Sequence, residues 1–139
     1  RPLAGLVAAL LAVCPAVRSL RDATRGGVAT VLNEFARAAN VGIRLDEAAV
    51  PIRPEVRGVC ELLGLDPLYL ANEGKLVAVV PRESGDCALA ALRGHPCGEG
   101  AMIIGEIRET LPGRVVLDSG FGGERIVDML VGEQLPRIC

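Results

Sequence analysis

Apolar residues recur with a helical period in four parts of the chain. The strongest pattern begins after Gly27, and another begins near Pro54 and is stopped by Gly64. A further helix is predicted from Asp86 to Arg93, and the amino-terminal pattern predicts a buried helix. The apolar positions of the four stripes, in chain order, are Leu6, Val7, Leu10, Leu11 and Cys14; Val28, Val31, Leu32, Phe35 and Ala39; Val56, Val59, Cys60 and Leu63; and Leu89 and Leu92.

Strand-like runs lie between these helices and after them. They are Val17–Arg21, Val41–Asp46, Leu76–Val80, Met102–Ile107, Arg114–Asp118 and Arg125–Asp128. Gly120–Gly123 separates the last two runs and predicts a hairpin turn. Helices alternate with strands early in the chain, and strands follow one another late. This order predicts an α+β fold, in which helices pack against a mixed, largely antiparallel sheet.

The predicted domain covers residues 1–128, and the chain of 139 residues is the size of one ordinary domain with one core. After Asp128 the chain has Gly and Pro interruptions and no continuing period. Residues 129–139 are therefore predicted to form a tail whose last residues are mobile.

Composition excludes several classes of protein. The net charge is −2. The sequence has no cluster of basic residues with aromatic residues between them, which is the pattern that would predict a nucleic-acid surface. The uncharged stretch Leu3–Val17 is shorter than the roughly 20 residues that cross a bilayer, and Pro15 interrupts it. No CxxC pair occurs, and His95 is the single histidine, so His95-Pro96-Cys97 is a weak zinc candidate and no metal site is predicted. Cys14, Cys60 and Cys87 fall on apolar faces of predicted helices, which suggests reduced thiols and hence the cytoplasm.

A pair of glycines ends the segment Arg21–Gly27, which joins a predicted strand to the best helix. Such glycines leave backbone N–H groups uncovered at a helix amino terminus, where the helix dipole favours an anion such as phosphate. The other candidate groups are Thr24, as a cap of the helix, and the charged side chains of Asp22 and Arg25. The segment is also typical of a plain strand-to-helix turn, and pattern alone favours that interpretation. The residues of this candidate phosphate site are Asp22, Thr24, Arg25, Gly26 and Gly27.

The turn Asn72-Glu73-Gly74-Lys75 precedes a strongly apolar strand. A carboxylate held by a turn at the edge of a site can act as a general base if its surroundings raise its pKa. An exposed hairpin with both charges in water is the more common outcome for such a turn. Asn72, Glu73 and Lys75 therefore remain candidates only.

The last residue is Cys139. A thiol at the end of a chain is free to swing, and its thiolate is a good nucleophile. Prenylation needs a cysteine four residues from the end, which this terminus does not have. An accidental terminal thiol is the alternative, although an exposed free cysteine is an oxidation liability. Cys139 is therefore predicted to be chemically active.

Four segments closely resemble the HypE family of hydrogenase maturation proteins. They are RDATRGGVATVLNEFA at Arg21–Ala36, DPLYLANEGKLVAVVP at Asp66–Pro81, GGERIVDML at Gly122–Leu130 and GEQLPRIC at Gly132–Cys139. This family is similar to aminoimidazole ribonucleotide synthase and selenophosphate synthetase, which are ATP-using enzymes of two α/β domains. The resemblance implies that the sequence is the carboxy-terminal domain only, that the amino-terminal ATP-binding domain is absent, and that the fold is that of the carboxy-terminal domain of aminoimidazole ribonucleotide synthase.

The resemblance also implies a reaction. In the family, the carbamoyltransferase HypF loads a carbamoyl group onto the terminal cysteine, and ATP with Mg²⁺ drives its dehydration to a thiocyanate. The cyanide then passes to iron on the HypC–HypD complex, for [NiFe] hydrogenase. By this resemblance Cys139 is the carrier and nucleophile, Glu73 matches the base, and Lys75 assists it. The full-length protein is expected to be a homodimer, and the fragment an inactive monomer.

Two other functions fit the sequence. One is another ATP-dependent enzyme of the same superfamily, although such relatives act on diffusible substrates and need no tethered thiol. The second is a docking domain without catalysis, whose tail only binds partner proteins. A docking domain would bind its partners without the thiol of Cys139, and no covalent adduct would form.

Overall fold

The structure of the chain is a computed structural model, and it describes residues 2–129. The predicted tail beyond Met129, with Cys139 at its end, lies outside the described residues. The helices are α1 (Ala4–Val13), α2 (Gly27–Ala39), α3 (Pro54–Leu63) and α4 (Gly85–Arg93). The strands are β1 (Ser19–Asp22), β2 (Gly42–Asp46), β3 (Leu76–Val79), β4 (Gly105–Arg108), β5 (Val115–Asp118) and β6 (Glu124–Ile126).

The strands form two separate sheets within the described residues. β1 pairs with β3 in an antiparallel ribbon, and the other strands form a sheet of order β4-β2-β5-β6. In the larger sheet β2 and β5 are parallel, and the two outer pairings are antiparallel. The predicted α+β class and the largely antiparallel pairing are confirmed. The strands are divided between two sheets rather than joined in one, because β1 pairs only with β3.

Two apolar clusters hold the elements together. The larger cluster packs α2 over the four-stranded sheet, and it includes Leu32 of α2, Leu45 of β2 and Val115 of β5. The smaller cluster joins α1, through Leu10, to Ala88 of α4 and to the β1–β3 ribbon. The apolar stripe of α2 therefore faces a core, as its helical period predicts.

The predicted burial of α1 is wrong on one face. Leu6 and Leu10 are buried, but the side chains of Leu11 and Val13 are exposed. The reason is that α1 packs against α4 and the β1–β3 ribbon on one side only, and nothing in the described chain covers the other. A helical period identifies the apolar residues, but it does not show whether the same chain supplies their partner.

The prediction for the α3 stripe is also wrong. Only Cys60 is buried, whereas Val56, Val59 and Leu63 are exposed, Leu63 at 61%. The helix begins at Pro54 and ends before Gly64, as predicted, but it lies on the surface. Cys87 is exposed as well, because the buried residue of α4 is its neighbour Ala88.

Candidate functional site

The pairing of β1 with β3 brings the two predicted site segments together. Asp22, at the end of β1, lies opposite Leu76, at the start of β3. Beyond this register, the Ala23 N–H donates to the Lys75 carbonyl at 3.3 Å, and the Asn72 N–H donates to the Ala23 carbonyl at 3.0 Å. The turn at Asn72–Lys75 therefore lies beside the strand-to-helix segment, although about 50 residues separate them in the sequence.

The first turn of α2 is a candidate site for an anion. The residue before the helix is Gly26, in a left-handed conformation with φ 72°, and no side chain of the described residues caps the helix. The expectation that Thr24 caps it is wrong, because the helix begins too far along the chain for Thr24 to be the capping residue. Uncapped N–H groups at a helix amino terminus, with the positive end of the helix dipole, attract phosphate.

Gly27 fixes the position of this helix end. Its φ is 64°, and a β-carbon there would collide with the carbonyl oxygens of Leu68 and Leu70, the latter at 2.6 Å. The start of α2 thus packs directly on the backbone around the single-turn helix Pro67–Tyr69. Only glycine allows both the backbone angle and the close approach.

Thr30 lies under the start of α2, and the sequence patterns did not single it out. Its hydroxyl oxygen is buried and has no hydrogen-bond partner within residues 2–129. It lies directly beneath Gly26, where a β-carbon would overlap it. The signal in the sequence was a polar residue one helical turn after a pair of glycines. Its hydroxyl lies under the uncapped end of the helix without a hydrogen-bond partner among the described residues.

The charged candidates lie on the surface, in the two segments that β1 and β3 bring together. Asp22, Arg25, Glu73 and Lys75 are exposed, and none of them forms an ion pair with another described residue. The Asn72 amide differs, since it donates to the Leu70 carbonyl at 2.8 Å and so holds the turn in place. The arrangement therefore combines backbone N–H donors, two cations that have no ion-pair partner within residues 2–129, and two carboxylates, which can bind a phosphate group and accept a proton.

The last described residues are fastened beside the same helix. The Asn33 amide donates to the Val127 carbonyl at 2.8 Å, and the Tyr69 hydroxyl donates to the Asp128 carbonyl at 2.8 Å. Burial is the main cause that raises the pKa of Tyr69, and the nearby Asp66 carboxylate adds to it. The phenol therefore keeps its proton, and remains a donor, at neutral pH. Neither Asn33 nor Tyr69 was a sequence candidate.

A separate cleft lies between α3 and the four-stranded sheet. Its volume is about 310 Å³, and Arg57, Cys60, Glu61, Leu68 and Arg125 are among its lining residues. None of the candidate site residues lines it. Within residues 2–129, no helix is long and apolar enough to span a membrane, and no three His, Cys, Asp or Glu residues are grouped to hold a metal ion.

Residues 3–118 match the family described as AIR synthase related protein, C-terminal domain, and the chain belongs to this family. Within the family it is similar to HypE proteins. Carbamoyl dehydratase HypE of Cupriavidus necator is 59% identical over 134 residues, which cover 96% of this chain and 38% of that protein. The resemblance to the carboxy-terminal domain of HypE is thereby confirmed.

Solved structures agree with the sequence comparison. The chain is similar to HypE in a crystal structure of a HypE–HypF complex, with a TM-score of 0.88 and 42% identity over 93% of this chain and 42% of that one. It is also similar to a hydrogenase maturation protein HypE in complex with ATP, with a TM-score of 0.82 and 48% identity over 89% of this chain and 38% of that one. The chain thus spans about two fifths of the length of the relatives it matches.

Proposed function

We propose that the chain is the carboxy-terminal part of a carbamoyl dehydratase, which uses ATP to convert S-carbamoyl-Cys139 to a thiocyanate. The observation that carries this proposal is the contact between the Asn72–Lys75 turn and Ala23, in the segment that leads into the uncapped amino terminus of α2. A base and an anion-binding helix end then flank one reaction centre. The names of the curated relatives support the same reaction.

The reaction requires activation of a poor leaving group. The carbamoyl oxygen attacks the terminal phosphorus of ATP, so that ADP leaves and the oxygen becomes part of a phosphate ester. Loss of one N–H proton gives a carbon–nitrogen double bond. Loss of the second proton forms the nitrile as phosphate departs with the oxygen. ATP is thereby converted to ADP and phosphate, and the carbamoyl group loses the elements of one water molecule.

The described residues divide this work between them. The N–H groups at the start of α2, with Arg25, bind the phosphate that receives the oxygen. Glu73 accepts the N–H protons, and Lys75 offsets developing negative charge. Thr24 and Asp22 contact the substrate at the edge of the site. Phosphate fits this set of donors better than a metal ion does, since no acidic cluster is grouped within residues 2–129.

The proposed partners follow from the reaction. HypF supplies the carbamoyl group, which the HypE–HypF structure of a relative supports. The HypC–HypD complex accepts the cyanide for [NiFe] hydrogenase, and the whole protein works as a cytoplasmic homodimer. ATP binds with Mg²⁺, whose chemistry is to neutralise the phosphate oxygens, and the remaining three fifths of the protein hold most of both.

Mass spectrometry of the terminal peptide tests the function. The full-length protein is incubated with HypF, carbamoyl phosphate and ATP, and the adduct on Cys139 is followed over time. Cys139→Ala should abolish every adduct. Glu73→Gln should retain the carbamoyl adduct but lose its dehydration, whereas Glu99→Gln, in an exposed turn elsewhere, should behave as wild type. A nitrile formed at the normal rate by the Glu73 variant would remove the base assignment.

A docking role without catalysis is the second candidate. The exposed apolar face of α3, with Val59 and Leu63, favours it, because such faces mark protein contacts. A pure docking domain would bind HypF equally well after Cys139→Ala and would never gain mass at the tail. Detection of a nitrile on Cys139 therefore excludes it as the whole function.

A further inference from the structure

Two side chains hold two consecutive carbonyl groups where the domain ends. Asn33 is the one buried polar residue of the described chain, at 3% exposure, and it donates to Val127 at 2.8 Å and to Ala29 at 2.9 Å. Tyr69 donates to the next carbonyl, that of Asp128. The Val127 N–H in turn donates to the Val115 carbonyl at 2.8 Å, and the Val127 side chain is fully buried.

This junction is fixed more firmly than a connection to a tail requires. Three hydrogen bonds from three different elements meet at two residues, and a buried amide is costly unless it is satisfied. The core needs only the Val127 side chain. The carbonyl contacts control instead the direction in which the backbone leaves the domain.

We propose that Asn33 and Tyr69 are positioning residues for the dehydration, because they fix the backbone at Val127 and Asp128, the root of the segment that ends in Cys139. This proposal rests on the proposed function, and it assigns the place from which the carrier arm moves. The name "tail anchor" is used below for these two side chains.

Distances along the chain fit this role. Asn33 lies six residues after Gly27 on α2, so the anchor is about 9 Å along the helix from the candidate phosphate site. Tyr69 is the last residue of the single-turn helix Pro67–Tyr69, and the carbonyl groups of Leu68 and Leu70 lie against Gly27. Ten residues follow Met129, and an extended chain of that length spans roughly 35 Å. A segment of ten residues is therefore long enough for Cys139 to reach the candidate phosphate site.

Tyr69→Phe in the full-length protein tests the tail anchor, because it removes one hydroxyl and leaves the ring in place. Single-turnover dehydration of the S-carbamoylated protein at saturating ATP should slow by about threefold to tenfold, the factor expected for one net hydrogen bond. The KM for ATP and the rate of carbamoylation by HypF should change less than twofold. A general loss of folded protein would lower both steps together, so the difference between the steps identifies positioning.

Insertion of two glycines after Met129 is the matched control. It lengthens the arm but keeps the tail anchor, and the effective concentration of the thiol should fall only about 1.3-fold for this change in length. Amide hydrogen exchange at Val127, whose N–H donates to Val115, should accelerate in Tyr69→Phe and stay unchanged in a control variant such as Glu99→Gln.

The two proposals fail in different ways. Wild-type protein that forms no nitrile on Cys139 would refute the dehydratase function, and the exchange rate at Val127 would still report whether Tyr69 holds the tail root. Dehydration by Tyr69→Phe at the wild-type rate, or unchanged exchange at Val127, would overturn the tail anchor while leaving the dehydratase function intact.

Discussion

At the start of α2, Gly27 joins two parts of the candidate site. Its backbone touches the carbonyls of Leu68 and Leu70, and Tyr69 between them holds the last described residues. A change at this one residue would move the helix end, the Asn72 turn and the tail anchor together. Glycine at this position is therefore required by geometry as well as by conformational freedom.

Gly27→Ala should destabilise the domain by about 2–5 kcal/mol, because it adds left-handed backbone strain and a collision with two carbonyl oxygens. Gly58→Ala is the matched control, since Gly58 lies within α3 and nothing is within 4 Å of a β-carbon there. That change should stabilise the domain by about 0.5–1 kcal/mol. Denaturant unfolding measures both, and equal free energies of unfolding would contradict the packing described.

Glu106 provides a prediction on pH. A hydrogen bond from Arg108 is the main cause that lowers the pKa of this exposed carboxyl, and Arg82 adds to it. Since the folded pKa lies below the ordinary glutamate value of 4.5, the contribution to stability is present above that pH and is lost as the pH falls through the folded pKa. Glu106→Gln should therefore flatten the acid dependence of the unfolding midpoint below about pH 4.5 without affecting its alkaline side.

At the scale of elements, helical and strand periods predicted the four α-helices and six strands of the described chain to within a few residues, but not its three single-turn helices. They did so because glycine and proline fix the ends of α3, and apolar spacing fixes the face of α2. They could not predict which helices have partners. Val59 of α3 and Leu11 of α1 follow a buried pattern and are exposed, since burial depends on what lies opposite.

Because most of α3 is exposed, substitutions of its apolar surface residues should have little effect on the stability of the domain. Leu62→Lys should change the free energy of unfolding by no more than about 0.5 kcal/mol, because the side chain is 84% exposed. Leu45→Ala, at a residue 1% exposed in β2, should cost about 2–5 kcal/mol by comparison. Thermal or denaturant unfolding of the two variants separates the cases. A large loss in Leu62→Lys would mean that α3 packs against the domain after all.

At the scale of the molecule, the site depends on pairings between distant segments. Arg21–Gly27 and Asn72–Lys75 were predicted separately, and spacing alone gave no reason to combine them. The resemblance to HypE connected them, and the register of β1 with β3 explains the connection. Thr30, Asn33 and Tyr69 were missed because each acts through a partner that is remote in sequence or through burial.

The parts of the site that the domain contains determine what residues 1–139 can do by themselves. The described domain holds one side of the proposed phosphate site, namely the helix end with Arg25 and Lys75, but no grouped carboxylates for Mg²⁺ within residues 2–129. Transfer of a phosphoryl group requires that the nucleotide and its metal be held rigidly from several sides. Residues 1–139 alone should therefore release no appreciable ADP, whereas the full-length protein should do so when S-carbamoylated. A coupled assay of ADP release measures this difference, and full-length Glu73→Gln is the inactive control. Robust turnover by the isolated chain would mean that a complete site lies within it.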